Sequence, residues 1–212
     1  MIESGSSGGI SAMQRYLLKP EDTMLLVLNV QERLFEAMEP CFRDMFLNNA
    51  CTLIHTAQAL HLPILVSEQM PARFGRTVDE IEHHVKDAPK IEKVSFSCWR
   101  EGQIRAGIKR TMRKTVVVIG IEAHVCVLQT VMDLLNTGYQ PVVAPDAVCS
   151  RFASHRQTAV NTMSQAGAVI YPAESIVFML MDKTDAPLYE EILSLLNWDI
   201  PVEPCWKEAV KE

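Results

Sequence analysis

The sequence lacks several features that mark particular classes of protein. None of its apolar runs reaches the roughly 18 residues of a membrane-spanning helix, and the first residues contain no apolar core of a secretory signal. Its six cysteines form no CxxC pair and no zinc-like spacing, which argues against a disulfide framework and a zinc site. We therefore expect free thiols in a cytoplasmic protein, with a mitochondrial location as the alternative.

An excess of basic residues is also missing. The chain has 20 Lys and Arg residues against 26 Asp and Glu residues, so its formal net charge is −6. A negative chain of this kind is not expected to have a nucleic acid as its main partner.

The chain contains enough apolar residues for one large domain. Hydrophobic residues make up 48% of its 212 residues, and it shows no internal repeat. Residues 1–14 are rich in Gly and Ser, so we predict a flexible tail there, native or added, and a single domain over residues 15–212. The apolar and aromatic segment 198–206 is expected to pack on its own domain or on a partner subunit, and we predict a homo-oligomer.

Short apolar runs alternate with segments of helical periodicity. The predicted strands cover residues 24–28, 63–67, 116–119, 140–144 and 168–170. The predicted helices cover residues 42–60, 104–112, 127–135 and 154–165. This alternation predicts an α/β fold of three layers, with a central, mostly parallel sheet between two layers of helices.

In sheets of this kind, ligands bind beyond the carboxyl ends of the strands. That rule directs attention to segments 29–31, 67–69 and 120–126. The long segment 70–99 shows little helix or strand signal, and a connection of that length is typical of a functional loop or lid.

Cys126 follows a predicted strand and begins a predicted helix. A helix N-terminus favours a thiolate and can hold an oxyanion, so Cys126 is a candidate nucleophile. The alternative is a buried structural cysteine, which is the commoner fate of a free thiol. Lys93 is either a cation that stabilises the thiolate or a solvated surface lysine.

Five segments together carry a resemblance to a known family. They are LLVLNVQ at residues 25–31, SEQ at 67–69, KVSFS at 93–97, GIEAHVCV at 120–127 and DAVCSR at 146–151. In this order and spacing, the chain resembles the isochorismatase-like cysteine hydrolases over residues 23–177.

The resemblance implies a catalytic triad of aspartate, lysine and cysteine. Carried over by position, Cys126 is the nucleophile that forms a thioester with a small amide or related carbonyl compound, and Lys93 is the supporting cation. The resemblance also implies a non-proline cis peptide at Ile121–Glu122, which would aim the N–H groups of Glu122 and Cys126 at an oxyanion.

The chain departs from the family at Asn29, which stands where the family has its aspartate. A neutral amide cannot accept the thiol proton, and losing a general acid–base group commonly costs about a hundred- to ten-thousand-fold in rate. The chain is then either an impaired member that binds a small ligand or serves as an oligomeric interaction protein, or an enzyme in which Glu68 or Glu122 substitutes.

The remaining predictions concern the pocket and its surroundings. We expect Glu68, Phe35, Phe96 and Trp99 to line the substrate pocket, by analogy with the family. Neither a cofactor nor a metal is predicted, because adjacent His83 and His84 project differently and do not reproduce the aspartate and two histidines of the metal-binding members. His124 could act as a base for Cys126, but the family places a loop residue there.

A nucleic-acid function is the remaining alternative. The sequence is similar to a parasite subgroup of the family that carries a mitochondrial ribonuclease name. Its one basic cluster consists of Lys109, Arg110, Arg113 and Lys114, at a predicted helix C-terminus where positive charge is favoured anyway. Without an RNA-binding motif or a stacking platform, the sequence argues against ribonuclease activity.

Overall fold

The architecture centres on one six-stranded sheet. A computed structural model describes residues 16–183 and 189–196, except for the side chains at 191 and 195. All the strand pairs of the sheet are parallel, and the strand order is β3-β2-β1-β4-β5-β6. The strands are β1 (Thr23–Leu28), β2 (Ile64–Gln69), β3 (Lys90–Lys93), β4 (Thr115–Ile121), β5 (Gln140–Cys149) and β6 (Val169–Ile170).

Helices cover both faces of this sheet. Along the described chain they are α1 (Glu32–Glu36), α2 (Pro40–Ala59), α3 (Pro71–Phe74), α4 (Asp79–Val85), α5 (Gly102–Arg110), α6 (Leu128–Asn136), α7 (Ala153–Ala166), α8 (Ala173–Met181) and α9 (Tyr189–Leu195). Short 3-10 turns lie at Pro20–Asp22 and Cys98–Arg100, and a π-helical turn at Ala123–Val127 leads into α6.

The alternating side chains of β1 divide the core into two layers. Leu25 and Val27 pack with α2, α4, α8 and α9, whereas Leu26 and Leu28 pack with α5, α6 and α7 on the other face. A strand that is buried on both faces is apolar at nearly every position, which explains the continuous apolar run at residues 24–28 of β1. The predicted three-layer α/β fold is confirmed.

Segment 70–99 differs from its prediction as a long loop. It contains α3, α4, β3 and the 3-10 turn at Cys98–Arg100. The edge strand β3 reads Lys-Ile-Glu-Lys, and Lys93 is the buried residue among its four. Because the other three are half-buried or exposed, the segment shows no apolar run. Likewise, Met112 does not continue its predicted helix, because α5 ends at Arg110 and Met112 is 84% exposed with a φ of 57°.

The topological switch point of the sheet lies between β1 and β4. From β1 the chain builds β2 and β3 on one side, then crosses over to add β4, β5 and β6 on the other side. At the end of this strand pair, Gly120 lies beside Leu28, and a Cβ on Gly120 would stand 2.0 Å from the Leu28 carbonyl oxygen. Only glycine fits this approach, with its φ of 123°, and the approach brings Asn29 next to Ile121.

Two further sequence predictions relate to the ends of the chain. The tail predicted for residues 1–14 and the apolar segment 198–206 both lie outside the described residues. Within the described part of the chain, no helix has the length and apolar character needed to cross a membrane.

Candidate active site

An open cavity of about 670 Å³ lies beyond the carboxyl ends of β1, β2 and β4. Cys126 and Asn29 form part of its wall, together with side chains from α1, α3 and the segment after β3. The other lining residues are Arg33, Leu34, Ala37, Met38, Gln69, Met70, Arg73, Phe74, Val94, Phe96, Ile121, Glu122, Val125 and Arg151. The cavity therefore lies where the strand-end rule predicts a ligand site.

Cys126 and Lys93 are in contact. Cys126 belongs to the π-helical turn after β4 and is 6% exposed, and its Sγ lies 3.7 Å from the Nζ of Lys93. Burial raises the pKa of the Cys126 thiol above its ordinary value, and the Lys93 ammonium and a hydrogen bond from Asn29 oppose that rise. The thiol is therefore mostly protonated at neutral pH, and a nucleophilic role requires the removal of its proton.

Lys93 is buried, and neutral oxygen atoms surround its ammonium group. Its Nζ donates to Gln69 Oε1, to the Ser95 carbonyl at 2.9 Å and to the Phe96 carbonyl at 3.0 Å. Among the described residues, no carboxylate lies within 4 Å of this group. The Cys126 thiolate, when it forms, is thus the nearest anion for a buried cation.

Asn29 holds two neighbouring strand ends together. Its φ of 50° lies in the left-handed region, which Asn and Asp tolerate better than most residues. Its Nδ2 donates to the Ile121 carbonyl at 3.0 Å, and its Oδ1 accepts a hydrogen bond from Ser67 Oγ at 3.2 Å. The next peptide bond, Ile121–Glu122, is cis, as the resemblance predicts.

Gln69 is a residue of the site that the sequence analysis missed. Besides accepting from Lys93, its Oε1 lies 4.0 Å from Cys126 Sγ. Its backbone N–H donates to Gln31 Oε1 at 2.6 Å, and Gln31 Nε2 donates back to the Gln69 carbonyl at 3.1 Å. Strand alternation could have identified Gln69, because it lies two residues after Ser67 and hence on the same face of β2.

The same alternation corrects the prediction for Glu68. This residue is buried, but it does not line the cavity around Cys126. Its Oε1 accepts hydrogen bonds from the backbone N–H of Thr77 at 2.8 Å and from Thr77 Oγ1 at 2.6 Å. Glu68 therefore anchors the segment between α3 and α4 to β2, and its carboxylate is bound to Thr77 instead of lining the cavity wall that contains Cys126.

Substituting Glu68 tests this correction. We expect Glu68→Gln to lower the free energy of unfolding by about 1–3 kcal/mol, because one of the two buried hydrogen bonds to Thr77 is weakened. The rate at which iodoacetamide labels Cys126 should stay unchanged. Thermal denaturation measures the change in stability, and mass spectrometry of the Cys126 peptide measures the labelling rate. Slower labelling at unchanged stability would mean that Glu68 influences the reactivity of Cys126.

Glu122 lines the cavity but has a partner of its own. Its Oε2 lies 3.0 Å from Arg151 Nε and also accepts from the Arg151 backbone N–H at 3.3 Å. Its carboxylate is thus held by Arg151, and among the described residues no hydrogen bond joins it to Cys126.

Of the three aromatic residues predicted for the pocket wall, Phe96 alone lines the cavity. Phe35 instead packs toward Phe46, with ring centroids 6.1 Å apart, in the core under α2. Trp99 packs against Tyr139 with centroids 5.1 Å apart, beside α5. Neither ring lines the cavity around Cys126, because a position in the sequence does not fix the direction of a side chain.

The histidines near these segments have other partners. His124 Nδ1 lies 3.0 Å from Ser150 Oγ, and its ring stacks near that of His155 with centroids 4.7 Å apart. His84 contacts the ring of His55, while His83 Nδ1 lies beside the Asp79 carbonyl. In the part of the chain that the structure describes, no three His, Cys, Asp or Glu side chains are grouped as metal ligands.

The fold and the cavity place this chain among parallel α/β proteins that have a buried lysine and a buried cysteine at the switch point of the sheet. The isochorismatase domain matches residues 23–175, and the chain belongs to this family of hydrolases. Among curated relatives, the secreted isochorismatase effector Isc1 of Phytophthora sojae is 34% identical over 190 residues, which cover 88% of this chain and 90% of that protein.

Solved structures support the same assignment. The MAR1 ribonuclease of Caenorhabditis elegans superposes with a TM-score of 0.78 at 31% identity, over 85% of this chain and 92% of that one. The YcaC gene product of Escherichia coli, described as an octameric hydrolase of unknown specificity, gives a TM-score of 0.81 at 24% identity, over 86% and 92%. At 24% identity, the similarity to the E. coli protein shows a shared fold alone.

Proposed function

We propose that the chain hydrolyses a small amide or related carbonyl compound through a thioester on Cys126. The observation that carries this proposal is the contact between Cys126 Sγ and Lys93 Nζ, 3.7 Å apart, on the wall of an open cavity. A thiol that is held beside a buried ammonium group and is open to a cavity has both the nucleophile and the charge that favours its reactive form.

The reaction divides into two acyl transfers. The Cys126 thiol first releases its proton to solvent, and the thiolate attacks the carbonyl carbon. The backbone N–H groups of Glu122 and Cys126 are proposed to receive the oxyanion. The intermediate collapses to a thioester as the leaving group departs with its bonding electrons and, in the case of an amine, with a proton. Water then adds to the thioester, releasing the acid and restoring the thiol.

Asn29 limits this chemistry at one step. An amine leaves only when its nitrogen is protonated, and an amide side chain cannot carry the proton from the thiol to that nitrogen. Phenolate, by contrast, leaves without a proton. The proposal therefore predicts that the natural chain is acylated by an activated ester but turns over simple amides slowly.

The test is acylation by 4-nitrophenyl acetate. We expect one acetyl group on the peptide that contains Cys126, together with a burst of nitrophenolate equal to the protein concentration. Cys126→Ala should abolish both signals, and Cys51→Ala, which removes a half-buried thiol outside the cavity, should leave them intact. An acetyl group found at other residues only would contradict the proposal.

A ligand-binding protein without turnover is the second candidate. Asn29 favours it, because both ends of its amide are engaged in hydrogen bonds that hold strand ends together. The acylation test separates the two candidates: a protein of this kind would protect Cys126 from alkylation when a ligand is present and yet would form no thioester.

A ribonuclease is the third candidate, suggested by the name of the C. elegans relative. The basic cluster around Lys109 and Lys114 lies at the amino end of β4, whereas Cys126 follows its carboxyl end. Seven residues of strand separate the two by about 20 Å. RNA bound at that cluster would not present a phosphodiester to Cys126, which argues against this candidate.

A homo-oligomer remains our expectation for the assembled protein. Apolar side chains at the cavity mouth are exposed: Met70 is 43% exposed, Phe96 is 54% exposed and Val94 is 72% exposed. Exposed apolar residues next to one another are typical of a subunit interface, and the E. coli neighbour is an octamer.

A further inference from the structure

The cavity around Cys126 has a positive wall, although the chain as a whole is negative. Three arginines line the cavity, against a single carboxylate, that of Glu122. Arg151 is paired with that carboxylate. Within the described residues, neither Arg33 nor Arg73 has an acidic group within 4 Å. Two guanidinium groups on this wall therefore lack a counter-ion.

Local contacts hold these two arginines in one patch. Arg33 Nη1 donates to the Arg73 carbonyl at 2.8 Å, which joins α1 to α3. The Arg73 guanidinium lies 5.3 Å from the centre of the Phe74 ring. The acid next to Arg33 in the sequence, Glu32, is directed against Gly75, and among the described residues it forms no ion pair within 4 Å with either arginine. Neighbouring like charges of this kind favour an anion between them.

We propose that Arg33 and Arg73 form an oxyanion-binding subsite, and that the substrate is a small amide or related compound that also carries a carboxylate. The guanidinium fork suits the two oxygens of a carboxylate. The assignment of a substrate class rests on the proposed function. The binding of an anion by Arg33 and Arg73, beside Cys126, does not depend on it. The side chains of Leu34 and Phe74, on the same wall, would contact the apolar part of such a compound.

Two alkylating reagents of nearly equal size test the subsite. Iodoacetate carries a carboxylate where iodoacetamide carries a neutral amide, and both react with the same thiolate of Cys126. The quantity to be measured is the rate of labelling by iodoacetate divided by the rate of labelling by iodoacetamide. Mass spectrometry of the Cys126 peptide gives this ratio at alkaline pH and low salt, and it is divided by the same ratio for 2-mercaptoethanol. Two nearby cations should raise this normalised ratio by about three- to tenfold, and 0.5 M salt should lower it.

Matched variants identify the source of the effect. Arg33→Gln and Arg73→Gln should each lower the ratio, and the double variant should lower it further than either single variant. Arg76→Gln is the control, because it removes the same charge from an exposed residue between α3 and α4 that does not line the cavity. If Arg76→Gln lowers the ratio as much as the other two, the effect is one of net charge and the proposal is wrong.

Protection from iodoacetamide identifies the class of ligand. Propionate should slow the labelling of Cys126 at lower concentrations than propionamide does, and only while Arg33 and Arg73 are present. Protection by a short RNA at lower concentrations than by propionate, or by inorganic phosphate alone, would overturn the assignment to a carboxylate.

The outcomes also separate this inference from the proposed function. A ratio that depends on Arg33 and Arg73 in a protein that 4-nitrophenyl acetate never acylates would retain the subsite and reject the hydrolase. A ratio near one in a protein that is acylated at Cys126 would retain the hydrolase and reject the subsite.

Discussion

Asn29→Asp is expected to raise the rate of amide hydrolysis by about a hundred- to ten-thousand-fold. The substituted carboxylate can accept the proton from the Cys126 thiol and deliver it to the leaving nitrogen, which the natural amide cannot do. The backbone should accept the change, because the φ of 50° at this position is tolerated by Asp as well as by Asn. Release of ammonia from a panel of small amides, with and without a carboxylate, measures the effect.

The substitution has a structural cost that must be measured beside it. Asn29 Nδ2 donates to the Ile121 carbonyl, and an ionised carboxylate in its place has no proton to donate. We expect the free energy of unfolding to fall by about 1–3 kcal/mol, as is usual when a buried hydrogen bond is lost. Thermal denaturation of both proteins shows whether a variant with no gain in rate is inactive or merely unfolded.

A second readout distinguishes proton transfer from a general increase in thiol reactivity. A carboxylate near the thiol raises the pKa of Cys126, since it disfavours a second negative charge. Alkylation by iodoacetamide at neutral pH should therefore not become faster in Asn29→Asp, and acylation by 4-nitrophenyl acetate should change far less than amide hydrolysis. Equal gains in all three reactions would mean that Asn29 does not act through the proton.

The sequence predicts the layers of this fold better than it predicts the site. Continuous apolar runs such as the one in β1 are reliable because a strand between two helical layers must be buried on both faces. The edge strand β3 was missed for the complementary reason: a Lys-Ile-Glu-Lys segment at the rim of the sheet is only partly buried and shows no apolar run.

Within the candidate site, the sequence indicates chain position better than side-chain direction. Asn29 and Cys126 both line the cavity, because the strand-end rule depends on topology alone. The sequence draws attention to Glu68, because a carboxylate offers acid chemistry, whereas the pleat of β2 directs Gln69 toward Lys93. The contact of Arg33 with Arg73 could not have been predicted, because it joins two short helices whose approach depends on tertiary packing.

Lys93→Met is expected to slow the alkylation of Cys126 at neutral pH by about tenfold or more, because the thiol loses the ammonium group that favours its ionised form. Burial already raises the pKa of this thiol, and the Lys93 ammonium, 3.7 Å from Sγ, lowers it. Removing the ammonium therefore moves the pKa further upward. Below that pKa the thiolate fraction falls tenfold per unit, so the difference in rate is largest at neutral pH. The difference in rate disappears at an alkaline pH where Cys126 is ionised both in the natural chain and in Lys93→Met.

The full pH profile decides whether Lys93 acts through charge or through structure. Methionine keeps much of the volume of lysine but leaves the Ser95 and Phe96 carbonyls without their donor, so some loss of stability is expected in either case. A charge effect shifts the labelling profile along the pH axis and leaves its alkaline plateau intact, whereas a distorted site lowers the plateau. Lys109→Met, which removes a cation beside Trp99 outside the cavity, should leave the profile in place. Coincident profiles for Lys93→Met and the natural chain would mean that Lys93 does not sustain the thiolate.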